Sequence, residues 1–122
     1  MALQYNKLYQ SLKKVSGEWH AGHFEWYFYW DFLKFYENGI VISCNNNKDD
    51  LNDINDWFNV ENEKAFFNKG TYLIKGNSIE INISVAVGSI KYYGEISNNY
   101  LIVSTINESV GYKNIDFFEL TV

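Results

Sequence analysis

The chain has 122 residues, a formal net charge of −5 and an acidic sequence pI near 4.9. Its 47% hydrophobic and 19% aromatic content excludes disorder and is enough for one packed core. The acidic balance and the lack of arginine argue against nucleic acid as a partner, no apolar run is long enough to span a membrane, and Cys44, the single cysteine, cannot form an intrachain disulfide.

The first sixteen residues lack the continuous apolar stretch of a secretory leader, so a cytoplasmic location is expected. Residues 3–14 read as a short helix. Leu8, Leu12 and Val15 share a face, Lys13 and Lys14 fall in the last turn, and Ser16-Gly17 stops it. Such a helix is too short to stand alone and is expected to plug one end of a sheet.

From Trp19 the chain turns aromatic. Phe24, Trp26, Phe28, Trp30 and Phe32 alternate with Glu25, Tyr27, Tyr29 and Asp31, a strand pattern. Leu33 and Phe35 then switch parity, which predicts a bulge or corner near Asp31. Asn38-Gly39 reads as a two-residue hairpin turn that sets Phe35 opposite Ile42 and Leu33 opposite Cys44, all on one face. Cys44 is expected as a small core residue.

After a polar loop at 45–50, Leu51, Ile54, Trp57 and Phe58 recur at helical spacing, with Asp49 or Asp50 as N-cap. A short helix over 50–58 is expected across a barrel mouth or side, and Ala65-Phe66-Phe67 begins the next strand. Gly76-Asn77 sets Ile74 opposite Ile79 and Tyr72 opposite Ile81, with Ile83, Val85 and Val87 on the same face. Beyond Gly88, the residues Ile90, Tyr92, Gly94 and Ile96 share one parity. Asn98-Asn99 then sets Ile96 opposite Leu101, Gly94 opposite Val103 and Tyr92 opposite Thr105. A last strand runs from about Tyr112 to Thr121, its orientation left open by Ile115 and Phe117 against Phe118 and Leu120.

These elements make an all-β chain. It is a single domain over 1–122, with about eight strands in an antiparallel up-and-down meander barrel, the N-terminal helix and the helix near 50–58. Closure removes exposed edges. A curved open sheet around the N-terminal helix is the other arrangement weighed.

Gly17-Glu18-Trp19 before the first long strand, followed by the Phe35-Tyr36-Glu37-Asn38-Gly39-Ile40-Val41 hairpin, resembles the opening of lipocalins and of the small bacterial lipocalin-like, calycin-type β-barrels. The resemblance implies that Trp19 closes one barrel end, with Lys113 in place of the arginine those proteins carry. It also implies a small, mostly apolar ligand held without catalysis.

Among polar groups, Tyr92, Thr105 and Asn107 lie on the expected inner face. Gly94 beside them leaves room, so these four form the candidate ligand site. Tyr27, Tyr29 and Asp31 occupy the face opposite the aromatic stripe and form a candidate interface, for a protein partner or a weak dimer. The aromatic run itself is also weighed as a stacking platform for sugars or bases. His20 and His23 near Glu18 and Glu25 are the one histidine cluster, without metal-ligand spacing, and the acidic 49–56 segment lacks the calcium-loop arrangement. No catalytic residue, metal or cofactor is assigned. The leading expectation is a binder of a small hydrophobic or amphipathic molecule, monomeric or weakly dimeric. The alternative is a protein-interaction module such as a small acidic immunity or inhibitor protein.

Overall fold

Side-chain alternation carries most of the chain into strands. The computed structural model describes residues 3–46, 51–62, 67–85, 88–97, 99–107 and 112–121. They form β1 (Leu8–Ser11), β2 (Lys14–His20), β3 (His23–Phe35), β4 (Ile40–Asn46), α1 (Leu51–Trp57), β5 (Asn68–Lys75), β6 (Ser78–Val85), β7 (Gly88–Ser97), β8 (Tyr100–Asn107) and β9 (Tyr112–Leu120). Neighbouring strands run β1-β9-β8-β7-β6-β5-β4-β3, and β1 also pairs with β3, so eight antiparallel strands close into a barrel. The ninth, β2, pairs with β3 beyond the barrel rim.

The second and third hairpins have the expected register. Ile74 faces Ile79 and Tyr72 faces Ile81; Ile96 faces Leu101, Gly94 faces Val103 and Tyr92 faces Thr105. β9 pairs evenly with β8, turning Phe118 inward, whereas Ile115 is 66% exposed. Val87 and Asn98 lie outside the described residues, as do Asp49, Asp50, Ala65 and Phe66.

Three expectations give way. No helix forms at the N-terminus: residues 8–11 are a strand held on both edges, Tyr9 facing Leu33 of β3 and Leu120 of β9. A short isolated helix nucleates poorly, whereas this strand gains a ladder on each side and seals the barrel. Leu12 and Val15, counted on the helical face, are exposed.

The first hairpin is out of register by one residue. Phe35 faces Val41 and Leu33 faces Ser43, because the loop holds three residues, Glu37, Asn38 and Gly39. The Gly39 N–H donates to the Tyr36 carbonyl and its φ is 88°, the pattern of a type I turn closed by a left-handed glycine. A one-residue shift moves every side chain to the other face. Ile42 and Cys44 therefore point out of the barrel while Val41 and Ser43 point in.

β3 has no bulge at Asp31. Its pairing with β2 and then with β4 is continuous, and the parity switch has another cause: both faces of its second half are buried. Phe32 faces outward under α1, and Leu33 and Phe35 face inward.

There are accordingly two cores. The barrel interior holds Tyr9, Leu33, Phe35, Ile81, Leu101 and Phe118 among others, with Leu3 packed in at the end where the Asn6 N–H meets the Phe35 carbonyl. The outer core is the helix expected near 50–58, laid on the side of β3 and β4, where Ile54 and Phe58 cover Leu8, Phe32 and Ile42. Gly70 permits close packing of β5 on β6, since a Cβ there would fall 1.8 Å from the Asn82 carbonyl oxygen.

β2 and the first half of β3 form a two-stranded ribbon of seven residue pairs, from Lys14 opposite Tyr29 to His20 opposite His23. Its length is about 23 Å. The turn is Ala21-Gly22, with φ of 49° and 83°. This is a left-handed pair of the type I′ kind, and alanine there gives no sequence signal.

Candidate functional site: the barrel mouth and the ribbon groove

Three strands, β3, β4 and β9, become polar as their inward residues approach one end of the barrel, where β7 places Tyr92 and Ile90. β3 runs Phe35, Leu33, Asp31. β4 runs Val41, Ser43, Asn45. β7 runs Ile96, Gly94, Tyr92, Ile90. β9 runs Phe118, Asp116, Asn114. Their far ends surround a cavity of about 280 Å³ with Leu33, Ile90 and Phe118 as its apolar lining and polar groups around them.

Lys14 organises this mouth. β1 ends at Ser11, leaving β3 and β9 without a strand between them farther out. The Lys14 ammonium spans that gap, 2.6 Å from Asp31 Oδ2 and 2.8 Å from Asp116 Oδ1. Burial disfavours its charge, but hydrogen bonds and attraction from both carboxylates outweigh burial and raise its pKa. The Ser11 hydroxyl accepts the Asp31 N–H and donates to the Leu12 carbonyl, fixing the carboxylate-bearing backbone. Tyr92 stands in the same cavity, its phenol pKa raised by burial first and then by Asp31 and Asp116. Cys44 is also pushed up, to about 12, by burial and then by Asp31, so its thiol is inert at neutral pH.

Beside the mouth, the polar face of the ribbon borders a groove of about 580 Å³ lined by Ser16, Tyr27, Tyr29, Asp31, Asn45 and Asn46. Asp31 and Asn45 belong to both spaces. Farther out, the Tyr27 hydroxyl donates to Glu18 Oε1 at 2.5 Å, and His20 Nε2 lies 2.9 Å from Glu18 Oε2. The first bond holds Glu18 below and Tyr27 above their ordinary pKa values.

The structure thus brings together two groups that the sequence separates, Tyr92 on one hand and Tyr27, Tyr29 and Asp31 on the other. Gly94 lies deeper and leaves no vacancy, since Ile79 Cγ2 and the Ile102 carbonyl oxygen come within 3.0 Å of where its Cβ would stand. Thr105 and Asn107 lie in β8, Thr105 opposite Tyr92, but their side chains are outside the described residues, as is that of Lys113. Trp19 does not close the barrel. It stands near the ribbon tip, 73% exposed, with its ring against Phe24. The Gly-x-Trp glycine serves the ribbon instead: a Cβ on Gly17 would strike the Phe24 ring at 2.4 Å.

Lys14, Asn45, Asn114 and Asp116 escaped the sequence reading. Asn114 and Asp116 were accessible to it, since they share the parity of Phe118. Lys14 was hidden by its assignment to a helix. His20 and His23 lie at the exposed ribbon tip, and no group of three or more His, Cys, Asp or Glu side chains suited to a metal exists among the described residues. A broader depression of about 500 Å³ lies on the outer barrel wall over Leu73, Tyr93, Ile102 and Ile115, with Lys75, Glu80, Glu95 and Ser104 around it.

Comparison with protein-family models, curated proteins and solved structures gave no match. Among the described residues no helix is long and apolar enough to cross a membrane.

Proposed function

We propose that the protein is a non-catalytic binder of a small amphipathic molecule, held in a lipocalin-like manner at the barrel mouth. The single observation behind this reading is the division of the mouth cavity into an apolar lining, Leu33, Ile90 and Phe118, and a polar rim, Asp31, Asn45, Tyr92, Asn114 and Asp116. Ligand sites combine apolar walls with a few convergent polar groups in this way. The barrel interior below is filled by Tyr9, Phe35 and the isoleucines of β6, so the ligand enters only the upper end. The volume of about 280 Å³ suits a small apolar portion, with the rest lying along the groove beside Tyr27 and Tyr29. Lys14 takes one oxygen of each rim carboxylate, and the acceptor capacity left on Asp31 and Asp116 favours a hydroxyl- or amine-bearing head.

The test is native mass spectrometry of the protein after incubation with a small-molecule extract of its host. A Tyr92→Trp variant, which fills the mouth, serves as control. The expected result is a bound mass on the parent protein that the variant loses. An unliganded parent, or equal binding by the variant, removes this reading.

A further inference from the structure

The ribbon is sharply two-faced. Glu18, His20, His23, Glu25, Tyr27 and Tyr29 occupy one side; Val15, Gly17, Trp19, Phe24, Trp26 and Phe28 occupy the other. On the second side Val15, Trp19, Phe24, Trp26 and Phe28 are 53%, 73%, 43%, 66% and 48% exposed. The same face continues along β3 into Trp30 and Phe32, which lie in the outer core with Ile54 and Phe58 of the α1 region. Among the described residues this packed cover stops there, and the outer half of the stripe is exposed, with Lys13 over Phe28 at its root. Its rings meet edge to face, Phe24 against Trp19 at 66° and against Trp26 at 82°, so they form a ridged apolar surface and not a flat stacking platform.

We propose that this aromatic face is a homodimer interface, on which the ribbon of a second copy stacks face to face in antiparallel orientation. Three observations select a second copy. The first is area. Aromatic side chains bury about 150–250 Å² each, so the four rings leave roughly 350–575 Å² of apolar surface, to which Val15 adds, and two copies together come to the roughly 1,000 Å² that a specific interface needs. A patch of that extent also lies at the upper end for a monomer. The second is charge. The ribbon's carboxylates and histidines all point away from this face, so a chain of net charge −5 stacks on itself without opposing them. The cation beside the stripe, Lys13, sits over the Phe28 ring at 4.5 Å. In an antiparallel stack it reaches the Trp19 end of the other ribbon, where a cation–π contact is favourable. A basic partner would find no carboxylate on this face to pair with. The third is mechanical. A lone two-stranded ribbon is marginal in water, and a second ribbon at sheet-packing distance supplies its missing layer. The interface is isologous, so it closes at two copies. It is distinct from the Tyr27–Tyr29–Asp31 side and independent of the ligand reading.

Sedimentation velocity and light scattering across about 1 µM to 1 mM protein test the proposal. A concentration-dependent dimer is expected, with tryptophan emission shifting to shorter wavelength as it forms. A Trp19→Ser/Trp26→Ser variant is expected to weaken it by about 100-fold or more, as loss of two aromatic anchors does, with unchanged hydrogen-exchange protection of β6 to β8. A Tyr27→Ser/Tyr29→Ser variant on the opposite face keeps the dimer. A chain monomeric at every concentration overturns the proposal, even where the ribbon captures an unrelated protein. So does a tryptophan double variant that dimerises as well as the parent.

Discussion

Two lysines in this protein are shifted in opposite directions by their surroundings. Lys14 is held between Asp31 and Asp116 and keeps its proton more tightly folded than unfolded. Its contribution to stability is therefore complete below about pH 10.5 and disappears as pH climbs through the raised folded value. Lys34 is 6% exposed under α1, where its ammonium donates to the Phe58 carbonyl at 3.0 Å. Burial lowers its pKa, so the folded state carries a penalty at neutral pH that is relieved as pH rises toward 10.5. Lys14→Met leaves two carboxylates facing each other and is expected to cost about 2 kcal/mol at pH 7, below the full buried-pair value because these side chains keep 14–30% exposure. Lys34→Met keeps the packed stem and removes the desolvated charge, so its net effect at pH 7 is expected within about 1 kcal/mol of zero. Urea unfolding at pH 7 and pH 10 reads both. Cys44 and the tyrosines with raised pKa lose stability over that interval in every variant, and Lys34 offsets part of the loss in the parent and in Lys14→Met but not in Lys34→Met, which therefore falls further. Equal destabilisation by the two substitutions at pH 7 would contradict this assignment.

At the scale of elements, the turn chemistry decided what could be read in advance. Gly76-Asn77 and the Ile-rich strands beside it hold one face to the core, so parity alone fixed β5 to β8. Asn38-Gly39 carries the same kind of signal, yet glycine there closes a three-residue loop, and the shift sends Ile42 and Cys44 to the opposite face. The position of the glycine differs between the two loops, first at Gly76 and third at Gly39, and α1 buries the outer face of β3 and β4, so apolar residues stand on both sides there. The mouth followed the same division: Tyr92 was legible by parity, Asp116 and Asn114 were legible but unread, and Lys14 needed the β2 ribbon to be recognised first. The outer core makes α1 indispensable in spite of its length. Phe58, fully buried against Phe67 and Trp57, is expected to cost about 3–4 kcal/mol when cut to alanine, close to the cost of truncating an interior aromatic. Thermal unfolding of Phe58→Ala checks this, and a loss under about 1 kcal/mol would mean that the helix is a dispensable cover.

For the whole molecule, closure and extension are two uses of one strand. β3 is thirteen residues long, more than twice the usual strand, because its second half completes the barrel wall while its first half leaves it as the ribbon. The wall half is paired on both edges, by β1 and β4, and is buried on both faces; the ribbon half has β2 on one edge and water on its aromatic face. Protection from hydrogen exchange follows local burial and ladder support, so the two halves of one strand should differ. In dilute monomeric protein the amides of residues 15–28 are expected to exchange well ahead of those in β6 to β8, whose inward Ile79, Ile81, Ile83, Leu101 and Val103 form the centre of the barrel core. Residues 32–35 should exchange with the barrel, placing the boundary near Asp31, where Lys14 ties β3 to β9. Raising the concentration into the range where ribbons stack should slow residues 15–28 and leave β6 to β8 unchanged. Exchange of all of β3 as a single unit would mean that the ribbon is rigid in the monomer without a second layer.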